Sequence, residues 1–324
     1  MRVQPSAKLF VFPLAILLGA GSGLAQGEYR KGLSHFKQGQ YGEAIDEFEP
    51  LVKEHPNYES GHRILGLSYL HLKQYEKAIS ELRTALRLKQ DAVETYLGLA
   101  QAYYNSRRFR EVIPTLNQAV PYAKSPRNRH DLLRMRGSAA YNLAQYELAV
   151  SDLQEASRIQ KGSPSELLQL GLAHYHLQRL ESAEQALRQV LTYDPNHAEA
   201  NRFLLMIGYQ KGVGMIEEGL YSEAAEAIFA YTERFPEDAQ AWFNLGLAYL
   251  FADNLEAAKA AFLRKVGLRP DSSGESFDRL GYIYEKTKEY QKALEHYQKA
   301  AELTGSSEVR VSVDRIKRRL RQSG

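Results

Sequence analysis

Residues 59–92 read ESGHRILGLSYLHLKQYEKAISELRTALRLKQDA and contain two amphipathic runs. Leu65, Tyr69 and Leu72 recur at i, i+4 and i+7. After Lys73-Gln74 the same spacing returns in Ala78, Leu82 and Ala85, the signature of an apolar helix stripe. Two short helices joined by a tight turn form a hairpin that cannot bury both of its own apolar faces. Advancing 34 residues turns Leu65 into Leu99, Tyr69 into Tyr103, Tyr75 into Phe109 and Leu82 into Leu116. A fixed period of this length means that neighbouring hairpins stack and bury each other's faces.

The register can be laid down eight times, over 25–58, 59–92, 93–126, 130–163, 164–197, 205–238, 239–272 and 274–307. The eighth residue of each unit is Gly32, Gly66, Ala100, Gly137, Gly171, Gly212, Gly246 and Gly281; the twentieth is Ala in every unit but the third, which has Val112. Glycine inside a helix costs about 1 kcal/mol relative to alanine, so its recurrence needs a reason. The expected reason is close approach, with small residues on both helices letting the backbones touch. Large residues recur around that contact, at Phe48, Leu82, Leu116, Leu153, Leu187, Ile228, Phe262 and Tyr297. Pro56, Pro195, Pro236 and Pro270 follow second helices, where proline ends one helix and starts the next turn.

These positions resemble the tetratricopeptide repeat, whose motif sets Trp, Leu, Gly, Tyr, Ala, Phe, Ala and Pro at fixed points in 34 residues. The best match is 239–272, with Trp242, Leu245, Gly246, Tyr249, Ala258, Phe262 and Pro270, although Lys265 stands where a small residue is expected. The resemblance implies an all-α fold, a right-handed superhelical solenoid of stacked antiparallel helix pairs. It implies a non-catalytic scaffold for protein partners.

In that family positions 2, 5, 9, 12 and 13 of each unit line the concave surface. Carried onto this chain, the resemblance implies a protein-binding groove of Tyr29, Phe36, Arg63, Leu67, Tyr104, Asn105, Arg134, Tyr141, Asn142, Tyr175, Tyr209 and Phe243. The lysine and asparagine with which some members clamp a C-terminal carboxylate, at positions 5 and 9, are absent here. An apolar, tyrosine-rich channel suits a protein or peptide segment with spaced apolar anchors. The competing expectation is that several of these tyrosines only pack between hairpins.

The spacing is not uniform. Three residues (127–129), seven (198–204) and one (Ser273) interrupt the register. Lys31, Arg136 and Lys211 occupy a position where other units have leucine. A cation fits there if a preceding unit leaves that face uncovered, which predicts three sub-blocks: units 1–3, 4–5 and 6–8. Phe203, Leu204 and Ile207 continue an apolar stripe, so 198–204 should lengthen a first helix. Pro114 falls inside a second helix, and with Pro121 and Pro126 makes 112–129 a candidate hinge or kink. Residues 308–324 carry Val309, Val313, Ile316 and Leu320 on one face, with six basic residues around them. They read as the capping helix that repeat arrays require.

Arg2 and Lys8 precede an apolar run, Leu9–Leu18, and small residues lead to Ala25. This order predicts a signal peptide over 1–25 and an exported chain, periplasmic or secreted. An uncleaved leader holding the chain at a membrane is the alternative. With no cysteine, neither a lipid-modified cysteine nor a disulfide is available, and the lack of an Asn-X-Ser/Thr sequon favours a bacterial envelope. Removing the leader takes two basic residues from a net charge of +3 and leaves +1, which selects no partner by charge alone.

No catalytic fingerprint is present, and the repeats leave no block for a separate catalytic domain. His174 and His176 lie two apart on a helix and point to different faces, so they cannot share an ion. His174 stands where other units have tyrosine and is expected to pack in the core. No cofactor, metal or nucleic-acid partner is expected. Lys124, Arg127, Arg129, Arg134 and Arg136, together with the basic tail, are candidates for weak contact with an anionic surface. The expected role is a protein-binding scaffold or adaptor in a cell-envelope assembly. The alternative is an accessory or substrate-presenting subunit of an envelope enzyme complex, as in polysaccharide export or cell-wall synthesis.

Overall fold

The computed structural model describes residues 23–323, which form seventeen α-helices and no strand. They run α1 (Gly23–Lys37), α2 (Tyr41–Glu54), α3 (Glu59–His71), α4 (Tyr75–Leu88), α5 (Val93–Asn105) and α6 (Phe109–Ala119). Next come α7 (Pro126–Asn142), α8 (Tyr146–Ile159), α9 (Pro164–His176), α10 (Leu180–Tyr193), α11 (Ala198–Glu217) and α12 (Tyr221–Arg234). The chain closes with α13 (Ala239–Phe251), α14 (Leu255–Leu268), α15 (Gly274–Lys286), α16 (Tyr290–Thr304) and α17 (Ser307–Ser323). Residues 1–22, most of the expected leader, lie outside the described residues. Among the described residues no helix is long and apolar enough to cross a membrane.

Each odd helix from α1 to α15 packs antiparallel on the even helix after it, and the glycines show why. A Cβ added to Gly32 would lie 2.7 Å from Phe48, at Gly66 2.7 Å from Leu82, and at Gly137 2.9 Å from Leu153. At Gly171 it would lie 2.8 Å from Leu187, at Gly212 2.9 Å from Ile228, at Gly246 2.6 Å from Phe262 and at Gly281 2.6 Å from Tyr297. In all seven the neighbour is the large residue sixteen positions on. The expected small-to-small contact is therefore incomplete. The glycine is a notch into which a large side chain of the second helix presses, and these large residues are fully buried.

The turns between paired helices share one form. Gln74 N–H bonds Tyr69 C=O at 2.8 Å and Lys73 N–H bonds Leu70 C=O at 3.0 Å, a Schellman motif whose pivot needs a left-handed residue. That residue is glycine at Gly39 and Gly219. It is a side-chain-bearing residue at Lys73, Arg107, Ala144, Gln178, Asp253 and Lys288, with φ between 57° and 66°. Between hairpins, His62 donates to the Pro56 carbonyl at 3.0 Å, and Trp242 does the same to Pro236 at 2.9 Å.

The helices form two compact units, one ending at Tyr193 and one beginning at Asp194. In the first, α1, α3, α5, α7 and α9 touch in succession and make one layer, while α2, α4, α6 and α8 each bridge two odd helices. One apolar cluster runs without a break from Leu33 to Ala139. The candidate hinge at 112–129 is thus corrected: Pro114 shortens α6 to eleven residues and a 3-10 turn follows at 120–122, but Val112, Leu116, Ala119 and Leu132 belong to that same core. The division expected after residue 126 disappears with it.

In the second unit α11 reaches twenty residues because Ala198–Leu204 are helical, as the apolar stripe suggested. Lys265 is buried. Its amine donates to the Ser272 carbonyl and, at 3.0 Å, to the Ser273 hydroxyl. The residue that departs from the motif thereby holds the 3-10 turn Pro270–Ser272, where the extra Ser273 sits. α17 closes this unit with Val309, Val313 and Ile316 inside the last apolar cluster.

Candidate inner-face binding site

The odd-helix layer of the first unit carries the groove residues predicted there. Tyr104 (α5), Tyr141 (α7) and Tyr175 (α9) are half-buried at one register position on three successive helices. Each ring packs edge-on or tilted against its own hairpin, Tyr104 on Phe109 at 5.1 Å, Tyr141 on Tyr146 at 6.0 Å and Tyr175 on His176 at 5.9 Å. Part of each ring stays in solvent.

Polar side chains tie the helices of this layer together. Asn142 donates to the Tyr104 hydroxyl at 3.1 Å and to the Ser138 carbonyl at 2.7 Å. The Ser138 hydroxyl reaches Gln169 at 2.6 Å, joining α7 to α9. Asn105 accepts from Gln101 at 2.8 Å. Arg134 lies 3.4 Å from the Glu166 carboxylate; burial lowers its pKa, opposed by Glu166, Asp131 and Tyr104. Tyr104, Asn142, Arg134 and Glu166 therefore belong to one neighbourhood.

At the start of the chain Tyr29 meets Tyr58 at 5.6 Å and Phe48 at 5.7 Å. Burial raises its pKa, with Arg63 pulling the other way. Arg63 is itself held 3.1 Å from Glu59. Phe36 lies edge-on to Tyr41 at 5.6 Å and to His71 at 5.7 Å. His71 stacks on Tyr41 at 4.0 Å, and His176 on Tyr146 at 4.5 Å. These histidines end one odd helix and cover the tyrosine that opens the even helix of the preceding hairpin, a pairing the linear pattern did not reveal.

Three expectations are corrected. Leu67 is 2% exposed, and a Cβ added at Gly98 would lie 2.8 Å from its Cδ2. It is a packing residue and offers nothing to a partner. Arg136 does not sit on an uncovered face: its guanidinium grips the buried Asp152 carboxylate with two 2.7 Å bonds and also reaches Asn117 at 2.7 Å. Arg134 and Arg136 consequently turn to different partners, and the five basic residues of 124–136 do not make one patch. His174 is buried as expected, with Nε2 3.2 Å from Gln154.

Tyr209 and Phe243 lie in the second unit. Tyr209 stacks on Tyr231 at 4.5 Å and accepts from Asn244 at 2.8 Å, repeating the Tyr104–Asn142 bridge between the odd helices α11 and α13. Phe243 packs edge-on against Phe262 at 5.8 Å. The tail is more committed than a free basic surface. Arg315 makes a two-pronged contact with Glu285 at 3.1 and 2.8 Å, and Arg319 lies over the Tyr290 ring.

Family models described as tetratricopeptide repeat match residues 29–93, 69–134, 167–197, 216–273 and 274–306, well over half of the chain. Tetratricopeptide repeat protein 13 of Homo sapiens is 28% identical over 171 residues, covering 51% of this chain and 19% of that protein. Hsp70-Hsp90 organizing protein 3 of Arabidopsis thaliana is 26% identical over 234 residues, 70% of this chain and 39% of its own length. Among solved structures, MamA from Desulfovibrio magneticus RS-1 is 28% identical, covers 55% of this chain and 97% of that chain, and superposes with a TM-score of 0.37. This chain spans well under half the length of either curated relative. The chain belongs to the tetratricopeptide repeat family, whose repeats are protein-interaction scaffolds.

Proposed function

We propose, from that membership, that the odd-helix face of the first unit is the docking surface of a non-catalytic scaffold, and that its occupant is an extended or helical protein segment with spaced apolar anchors. The observation that carries this reading is the row Tyr104, Tyr141 and Tyr175, half-exposed at one register on α5, α7 and α9. Rings held by their hairpins lose little freedom on binding. Asn105 and Asn142 supply polar contacts at the same level. The Hsp70-Hsp90 organizing relatives are named for protein partners; only that coarse part, a protein partner, is carried over to this chain.

We further propose that the chain is exported through its leader and works in a cell-envelope assembly. The support is the basic, apolar and small-residue order of residues 1–25. Mass spectrometry of the protein's N-terminus from native cells should find Gln26 first; an intact Met1 in the membrane fraction would favour the anchored form.

The docking reading is tested by crosslinked pull-down from the native envelope, comparing wild type with a variant carrying Tyr104→Ala, Tyr141→Ala and Tyr175→Ala. With equal melting temperatures as the condition, one or a few proteins should be lost with the variant alone. Equal recovery by both baits would exclude this face.

A further inference from the structure

The positive charge of the chain is concentrated in α17. Arg310, Arg315, Lys317, Arg318, Arg319 and Arg321 stand there against Glu308 and Asp314, a net charge of +4. Taking that from the +1 left when the leader is set aside gives −3 for residues 26–306. The small overall charge therefore hides a chain that is acidic elsewhere and strongly basic in its closing helix.

The fold leaves most of that charge facing outward. Val309, Val313 and Ile316 turn into the last apolar cluster. Arg315 is held by Glu285, Arg319 lies over Tyr290, and Arg318 bonds the Asp314 carbonyl of its own helix at 3.3 Å. Arg310, Lys317 and Arg321 are exposed, and among the described residues none of the three has an ion pair. Their spacing of seven and four residues sets them on one stripe of the helix, about 16 Å long. Glu289 before α16 and Glu302 on it are paired with their own lysines, Lys292 at 2.7 Å and Lys299 at 3.1 Å. On α17 itself Asp314 lies among the exposed cations, and Glu308 stands in the first turn. Val311 shares the outward face and is 60% exposed, more than any other large apolar side chain among the described residues.

We propose that the outward face of α17 is a docking surface for an anionic lipid bilayer, with Arg310, Lys317, Arg318 and Arg321 against the headgroups and Val311 at the same level. Cations near a negatively charged leaflet are each attracted to it, and an apolar side chain among them suits the boundary between headgroups and acyl chains. A nucleic-acid duplex offers the same charge but nothing to Val311. Contact made by a few exposed cations is reversible and is released by screening salt. The proposal goes beyond the docking reading: α17 closes the second unit, the tyrosine row lies in the first, and neither surface depends on the other.

The test is co-sedimentation of the protein, purified from native cells at high salt without detergent, with vesicles of about one third phosphatidylglycerol in phosphatidylcholine. Pure phosphatidylcholine vesicles are the comparison, in roughly 0.1 M sodium chloride. Binding should be at least tenfold tighter to the anionic vesicles and lost at roughly 0.5 M salt. The triple variant Arg310→Gln, Lys317→Gln and Arg321→Gln, all at exposed positions, should weaken it at least tenfold with an unchanged melting temperature. Lys124→Gln, Arg127→Gln and Arg129→Gln remove the same charge from exposed positions of the first unit and should change it less than twofold. Equal binding to both kinds of vesicle, or equal loss in the two triple variants, would overturn the surface. Tighter binding to a DNA duplex than to the anionic vesicles at the same salt would overturn the lipid assignment. The Tyr104, Tyr141 and Tyr175 alanine variant should bind the vesicles as wild type does, so failure of the docking face and failure of this surface are read separately.

Discussion

Gly246 and Gly208 both lie inside helices, yet an added Cβ meets Phe262 at 2.6 Å in the first and nothing within 4 Å in the second. Gly246→Ala should therefore destabilise the second unit by about 1–3 kcal/mol through overpacking. Gly208→Ala should leave stability unchanged or raise it by up to about 1 kcal/mol, from helix propensity alone. Thermal melts of the pair check this, and equal shifts would mean the notch is not what Gly246 provides. The ion pairs Lys31–Glu47 and Arg136–Asp152 share a register but not an environment. Lys31 is exposed, whereas Asp152 is buried beneath Arg136. Asp152→Ala should cost about 3–5 kcal/mol because a part-buried guanidinium loses its partner, and Glu47→Ala at most about 1 kcal/mol; denaturant unfolding distinguishes the two. The sequence showed that residue eight had to be small. It did not show that the neighbour is the large residue sixteen positions on, because periodicity locates a face without saying what presses on it.

Helix positions were legible because each hairpin repeats its apolar stripe, and the lengthening of α11 followed from Phe203, Leu204 and Ile207 in the same way. Of the expected hinge or kink at 112–129, only a local change of helix is seen. Pro114 does shorten α6, but a proline alters one helix locally, while the apolar cluster continues through Leu116, Ala119 and Leu132. Lys265 was visible as a departure from the motif, and only the fold shows its amine stitching the Ser272–Ser273 turn. α17 has a pH dependence that follows from its anchor. Burial on its own would raise the Glu285 pKa, but bonds from Arg315 and Tyr297 bring it below its ordinary value. A depressed carboxylate contributes stability above its unfolded-state value, and that contribution is lost as pH falls through the folded one. The hydrogen-exchange protection of α17, taken relative to the intrinsic rate at each pH, should therefore fall below roughly pH 4, and Arg315→Ala should abolish the extra acid sensitivity. An acid profile unchanged by Arg315→Ala would place the anchor elsewhere.

At the scale of the molecule, eight hairpins and a closing helix form two compact units, with the division after Tyr193. Only the second of the two expected breaks survives, because the three residues at 127–129 open α7 and its core joins that of the preceding helices. Of the twelve residues that the family resemblance names, ten lie on odd helices of the first unit and two in the second. Leu67 shows the limit: a lining position becomes a packing position when the next helix offers a glycine. The central claim, that the odd helices and not the even ones receive the partner, is tested most directly by placing a photo-crosslinking amino acid at Tyr104 on α5 or at the exposed Ser151 on α8 in native cells. The account predicts a discrete protein adduct from position 104 and none from position 151. The same adduct from both positions, or from 151 alone, would contradict it.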